Sequence, residues 1–317
     1  MKNDLKGSVT NDQFILINDQ CLSICSTHFH LQQGVALVLV LWILSLLTIM
    51  TMGYSATMRT DIRLTAHGVQ SAQARALSQG GIWIGVRKLL DPASAQDLRY
   101  DGSRYVVPDN VDIEIKIVDE AGKIDLNTAQ TELLRGLLDS VGLNDNQAES
   151  LAQAIEDWRD SDNLNRVSGA EDTDYFQAGY TYGAKNGPFN TVGELRQVVG
   201  MTEEIFQSLA PALTVFSHQN SINPDTAPKE ALLALPGRDV NAVEAYYQNR
   251  QSATSPDFSA QQLEGNYVAR VEGRIFTIIS TGKVNDTIFT TSAVVMLKEY
   301  ADFPFSILSW AENNPAN

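Results

Sequence analysis

Carboxylates crowd one stretch of this 317-residue chain: Asp157-x-x-Asp160-x-Asp162, then Gly169-Ala-Glu171-Asp172-x-Asp174. Hard cations such as calcium take about six to eight oxygens, several of them from carboxylates spaced along a loop. Asp160, Asp162 and Glu171 fall at the first, third and twelfth places of an EF-hand-like frame. The frame then breaks, because Leu164 holds the fifth place and Asn165 stands where the turning glycine belongs. Two readings stay open at this point. One is an irregular oxygen cage folding a loop around calcium. The other is a solvated acidic loop partly offset by Arg159 and Arg166. Like charges packed this tightly repel unless something neutralises them.

Other chemistry is thinly supported. Past the first apolar run the chain holds two histidines, His67 and His218, far apart in sequence. No P-loop, G-x-S-x-G or H-E-x-x-H motif occurs, and nothing marks a nucleophile for a His218-based triad. Both cysteines, Cys21 and Cys25, precede that run, so the rest of the chain has no disulfide framework and no thiolate chemistry. The formal charge is -15, and about ten of those charges lie between Asp119 and Asp174. Such acidity disfavours nucleic acid and anionic lipid and favours cations or a basic partner.

The elements that must position these residues begin with one unbroken apolar run, Gly34 to Gly53. No formally charged residue occurs between Asp19 and Arg59, and a hydrocarbon core takes about 20 such residues. The 33 residues before it lack the short basic region of a secretory signal, and no A-x-A site follows. Arg59 and Arg63 flank the run closely while Lys2 and Lys6 lie far upstream, so a positive-inside count alone puts the head in the cytoplasm.

After the run, Ile62, Ala66, Val69, Ala72, Ala76, Trp83, Val86 and Leu90 recur at helical spacing. This predicts one long helix from about Val35 to about Leu90, ending at Asp91-Pro92, with that face packed on the head. Gly81-x-x-x-Gly85 marks tight packing on it. Val111, Ile113, Ile115 and Ile117 alternate with polar residues as a half-buried strand does. Arg274–Thr281 and Thr287–Leu297, joined through Asn285-Asp286, predict a hairpin.

Between these strands the period is helical, with a weak repeat. Asp125-Leu-Asn-Thr-Ala129 precedes Glu132-Leu-Leu134, and Asn223-Pro-Asp-Thr-Ala227 precedes Glu230-Ala-Leu-Leu233. Phe189-Asn-Thr-Val192 leads into Glu194-Leu195, and Thr191 with Glu194 has capping-box spacing. Pro236-Gly237 and Val199-Gly200 close helices. These pieces also resemble helix-hairpin-helix units that hold DNA backbone, although only Arg238 follows Pro236-Gly237 and the surroundings are acidic.

Taken in order, the pieces resemble the minor pseudopilin K family of bacterial type II secretion. The carrying residues are Gly34-Val-Ala-Leu37 and the run after it, Asp119 to Ala129, Asp157-Trp158, Gly169 to Asp172, Pro188-Phe189 and Ile222-Asn223. The resemblance covers Gly34 to about Arg274. It implies cleavage between Gly34 and Val35 by prepilin peptidase, then methylation of the new amino end. Counted from Val35, the fifth residue is Leu39, where most pilins carry a glutamate. A bare carboxylate in lipid is costly unless paired, so its loss suits a subunit with nothing above it. The resemblance further implies calcium on the acidic loop, with Asp160, Asp162, Glu171 and Asp172 as ligands. The implied partners are minor pseudopilins I and J, with no nucleic acid. The implied location is the inner membrane, single-pass, with the head in the periplasm.

The resulting expectation is an α+β, non-enzymatic protein: a pilin-like N-terminal helix on a small antiparallel sheet, interrupted by a large all-α insert. Residues 1–34 form a leader, 35–58 the membrane half of the helix, and 59–118 the pilin-like helix and first strands. The helical insert covers 119–265, and residues 266–317 supply the last strands and a tail. A membrane-tethered DNA-binding protein is the alternative.

Overall fold

A computed structural model describes residues 33–91, 99–107, 112–237, 239–252, 265–271, 273–299 and 302–313. Cys21, Cys25, Val111 and Arg238 lie outside the described residues. The chain divides into two units after Ala66, and one helix, α1 (Gln33–Leu90), contributes to both.

In the first unit α1 is the apolar run. It is the one described helix long and apolar enough to cross a membrane, with a mean hydropathy of 2.6 over its most apolar 18 residues. The hydroxyls of Ser45, Thr48, Thr51 and Thr57 each donate to the carbonyl four residues back. These hydroxyls are thereby satisfied inside the helix, as a lipid environment demands.

The second unit holds two apolar cores. Its strands are β1 (Asp101–Val106), β2 (Ile113–Asp119), β3 (Ile124–Asp125), β4 (Leu213–Thr214), β5 (Ile275–Val284), β6 (Thr287–Leu297) and β7 (Phe305–Asn313). Five of them form an antiparallel sheet in the order β1-β2-β5-β6-β7. Strands β2 and β5 pair from Ile113–Gly282 to Asp119–Phe276, although 155 residues separate Asp119 from Ile275. The expected alternation holds, with Ile113, Ile115 and Ile117 buried on the helix side. The hairpin turns at Asn285, whose φ of 53° suits the tight turn between right-twisted strands. Strand β7 falls in the stretch expected to be a tail. A register shift at Val294/Val295 breaks its alternation, which hid it from a period-of-two reading.

Helix α1 meets the sheet through Ala74, Ser78, Gly81, Ile82, Gly85 and Val86. A Cβ at Gly81 would come within 2.0 Å of Ser280 Oγ, and one at Gly85 within 2.8 Å of Ile278 Cγ2. The small pair therefore lets backbone approach sheet, as its spacing predicted. The face itself differs from expectation. Of the eight residues predicted to pack inward, only Val86 is buried; the rest of that stripe is exposed. Glycine, serine and alanine carry the contact, and a search for large apolar residues passes over them.

The other core is helical. It comprises α2 (Thr131–Ser140), α3 (Asp145–Arg159), α4 (Asp172–Gln177), α5 (Glu203–Leu209), α6 (Lys229–Leu233) and α7 (Val240–Ser252), with β3 and β4 pairing in parallel. The weak repeat is a real structural repeat. Asp125 Oδ1 accepts from the Asn127 amide, and Asn223 Oδ1 accepts from the Asp225 amide. The amides of Ala129 and Ala227 then donate to the carbonyls of Asp125 and Asn223, both at 2.9 Å. The third piece differs: Thr191 makes no cap bond, and Glu194 accepts from the Asn190 amide instead, opening a 3₁₀ turn. A full capping box forms at Asn144 and Gln147, at the start of α3.

Candidate metal centre

The acidic loop hangs between two anchored ends. Helix α3 starts at its capping box and ends at Arg159, where Trp158 packs on Tyr175 of α4 (5.6 Å between centroids) and on Phe189 (6.3 Å). Helix α4 starts after Glu171, whose amide donates to Asp174 Oδ2 at 3.0 Å. That bond, with one from Asn165, holds the Asp174 carboxyl below the usual carboxylate range.

Within the loop the acids take different roles. Asp157 is fully buried and structural: one oxygen accepts from Arg166 Nη1, the other from the amides of Ala170 (2.9 Å) and Arg166 (3.3 Å). Gly169 makes this possible, since a Cβ there would sit 1.9 Å from Asp157 Oδ2. Arg166 also donates to Asp160 Oδ2 at 2.5 Å and lies 3.0 Å from Glu156. Burial lowers its pKa, but the bonds to Asp160 and Asp157 outweigh that and raise it. Asp162 Oδ1 accepts from the Leu164 amide at 3.0 Å.

Oxygens of Asp160, Asp162 and Glu171 lie within 4.8 Å of one another. Asp172 is outside this group: its carboxylate stands over Gly183, where a Cβ would come within 1.8 Å of Oδ1. Arg159, expected to offset the loop, turns away and donates to the carbonyls of Leu126 and Ala129. Among the described residues Arg166 is left as the loop's counter-charge.

Glu171 shows what the group lacks. It is buried, and neither of its oxygens has a hydrogen-bond partner; Asp160 Oδ1 is likewise unpaired. Burial, then Asp157, Asp160, Asp172 and Asp162, push the Glu171 carboxyl up to about 7. An orphaned buried carboxylate among acids is unfavourable unless a cation or proton meets it. Oxygen-only donors at this spacing fit a hard divalent cation.

The remaining candidates carry less. His67 is exposed on α1. His218 is exposed in the left-handed region (φ 52°), and its backbone amide donates to Asp125 Oδ2. Gly34 and Val35 lie in the first turn of α1. The two helix–turn–helix pairs, α2–α3 and α6–α7, use their surfaces on each other: α2 meets α6 where Gly136 abuts the Ala234 carbonyl.

Comparison with known proteins adds a consistent picture. A sequence profile described as "Type II secretion system (T2SS), protein K" matches residues 115–218. A type II secretion system protein K from Pseudomonas aeruginosa strain PAO1 is 26% identical over 293 residues, covering 80% of this chain and 86% of the relative. One from Klebsiella pneumoniae is 27% identical, covering 68% and 74% respectively. Among solved structures, a chain of the GspK-GspI-GspJ complex from the enterotoxigenic Escherichia coli type 2 secretion system superposes with a TM-score of 0.52. That match is 18% identical in sequence and covers 81% of this chain and 99% of the other.

Proposed function

We propose that the chain is a member of the type II secretion system protein K family, and that it caps and nucleates a periplasmic pseudopilus driving folded proteins across the outer membrane. It is a minor pseudopilin of that system, and its partners are minor pseudopilins I and J. Its role is structural rather than enzymatic.

The observation carrying the tip position is the pairing of β2 with β5 around a 155-residue helical excursion. A pilin-like head of α1 and sheet spans 59–118 and 266–317, with an insert over 119–265 that is mainly helical but, against the all-α expectation, also holds the short parallel β3–β4 pair. That bulk would crowd a filament interior and is tolerated at an end. Leu39 at the fifth place after the cleavage junction supports the same position, since no subunit above would pair with a glutamate there. The leader, 1–34, is removed between Gly34 and Val35, residues 35–58 anchor the protein in the inner membrane, and the head faces the periplasm. The alternative of a DNA tether has no support: the relatives are secretion proteins, and the helix pairs pack on each other in an acidic setting.

Asp160, Asp162 and Glu171 hold a calcium ion in this reading, with Asp172 adding negative charge beside them. The unpaired oxygens of Glu171 are its support. Bound calcium supplies the missing counter-charge and pins the loop between α3 and α4. Melting of the head with calcium and with chelator tests it, because a ligand bound only to the native state raises stability. A melting temperature unmoved by either treatment leaves a charged surface loop and removes the calcium reading.

The primary test is the intact mass and amino-terminal sequence of the protein from native membranes. A start at methylated Val35 is expected. An uncut chain still carrying Cys21 and Cys25 would overturn the pseudopilin role, as would normal secretion after deletion.

A further inference from the structure

Two glycine turns of the helical core have the same build. Val141-Gly142-Leu143-Asn144 joins α2 to α3, and Val199-Gly200-Met201-Thr202 leads into α5. Gly142 and Gly200 both lie in the left-handed region, at φ 90° and 85°, where a β-carbon would be strained. Asn144 and Thr202 then cap the helix that follows, accepting from the amides of Gln147 at 3.0 Å and Ile205 at 3.3 Å.

The two turns face each other across an open groove of about 450 Å³. Matching positions line it from either side, Gly142 with Gly200 and Gln147 with Ile205. The floor is apolar: Leu151 is buried, and Leu143, Val199 and Ile205 are half-buried. Neither glycine fills the space between, since a Cβ at Gly142 would meet nothing within 4 Å and one at Gly200 only Leu151 Cδ1 at 3.8 Å. A cleft of this size falls in the range of sites that enclose a small ligand or a few side chains.

Charge selects the occupant. Asp139, Asp145 and Glu149 flank the first turn, and Glu203 and Glu204 follow the second. Arg135 is shared among the first three and comes no nearer than 3.5 Å to any of them. Arg196 is held by both oxygens of Glu203. Asp145 and Glu204 are exposed, and Glu204 makes no ion pair among the described residues. Glycine turns ahead of capped helices suit a phosphate backbone when bases stand beside them. Here acids stand in those places, so the groove repels nucleic acid and anionic lipid and attracts a cationic polypeptide. A second copy of a chain with formal charge -15 is repelled for the same reason. We propose that this groove docks a basic segment of another protein, with two or three adjacent apolar side chains on the floor and flanking lysine or arginine meeting Asp145 and Glu204. The site uses neither the membrane run nor the acidic loop, so it stands apart from the pseudopilin and calcium readings.

The test titrates the full-length chain, held in nanodiscs of zwitterionic lipid, with the fluorescein-labelled peptide Arg-Leu-Leu-Arg-Leu-Arg in about 0.15 M salt, where exposed charges are screened beyond ~8 Å. Saturable binding with a Kd of about 0.1 mM or tighter is expected, over empty nanodiscs as blank. Ile205→Lys should weaken it about tenfold or more, by setting a like charge in the floor. Asp145→Asn combined with Glu204→Gln should weaken it about fivefold. Asp286→Asn combined with Glu299→Gln removes the same charge from exposed positions at the two ends of β6 and should change nothing. The peptide Arg-Ser-Ser-Arg-Ser-Arg should not bind, because it brings the charge without the apolar side chains. Equal binding of that serine peptide overturns the proposal, as does a β6 pair that weakens binding as much as the groove pair. Absence of saturable binding to the parent chain overturns it too, as does an Ile205→Lys variant that melts and binds like the parent. Should Ile205→Lys lower the melting temperature, the groove pair decides, since Asp145 and Glu204 lie on the surface.

Discussion

Arg159 donates to the carbonyls of Leu126 and Ala129, and Arg250 donates to those of Pro224 and Ala227. These carbonyls occupy matching places in the internal repeat. Each guanidinium closes a turn whose carbonyls would otherwise be buried without partners, and burial lowers the pKa of both. Arg250→Ala is expected to destabilise the soluble head by about 2–4 kcal/mol in denaturant unfolding. Arg250→Lys should recover little of this, because an ammonium lacks the planar fork. Asp119 makes a second residue-scale prediction. It is 2% exposed, and burial raises its carboxyl to about 6, against lowering bonds from Ala121 and Thr226. A folded-state pKa above the unfolded value means that the native protein holds this proton more tightly. The associated stability is present below about pH 4 and is lost as pH rises through about 6, up to ~3 kcal/mol in all. Asp119→Asn should flatten the stability profile of the head between those limits; an unchanged slope would show that Asp119 ionises freely.

At the scale of elements, the contact of α1 with the sheet depends on residues that lack side-chain bulk. Gly81 and Gly80 are neighbours in one helix with opposite surroundings. A Cβ at Gly81 meets Ser280 and Ile113, whereas one at Gly80 meets nothing within 4 Å. Gly80→Ala should therefore stabilise the head by up to ~1 kcal/mol through helix propensity. Gly81→Ala should destabilise it by about 1–3 kcal/mol through overpacking. Thermal melts of the two variants, measured side by side, should move in opposite directions. Equal shifts would mean that the close approach is not needed.

Across the whole head, the two cores meet where the chain leaves β2. Glu120 is buried and bonds in three directions: to Lys123, to Thr277 on β5 (2.6 Å), and to Thr214 on β4. One carboxylate thereby ties the sheet to the helical core. Glu120→Ala leaves both threonines without this acceptor and should uncouple the cores. Calorimetry of the variant should show two transitions where the parent head shows one; a single transition at lower temperature would mean that other contacts suffice to join them.

Period and spacing were enough to read the long apolar helix, the β2 alternation, the β5–β6 hairpin and the repeat of capped turns. Each of these is a local pattern in which residue spacing matches backbone geometry. The acidic loop was equally visible as a candidate, because charge density needs no fold to be seen. Which acids meet was decided in three dimensions: Asp160, Asp162 and Glu171 approach one another, while Asp172 turns to Gly183 and Asp157 is spent on Arg166 and the Ala170 amide. The inward face of α1 also depended on the fold. Apolar spacing nominated Val69, Ala76, Trp83 and Leu90, but the sheet accepts the side with glycine, serine and alanine, since close approach there brings more atoms into contact than bulk would. Pairing of β2 with β5 across 155 residues, and the late strand β7, rest on long-range hydrogen bonds that leave no local trace in the order of residues.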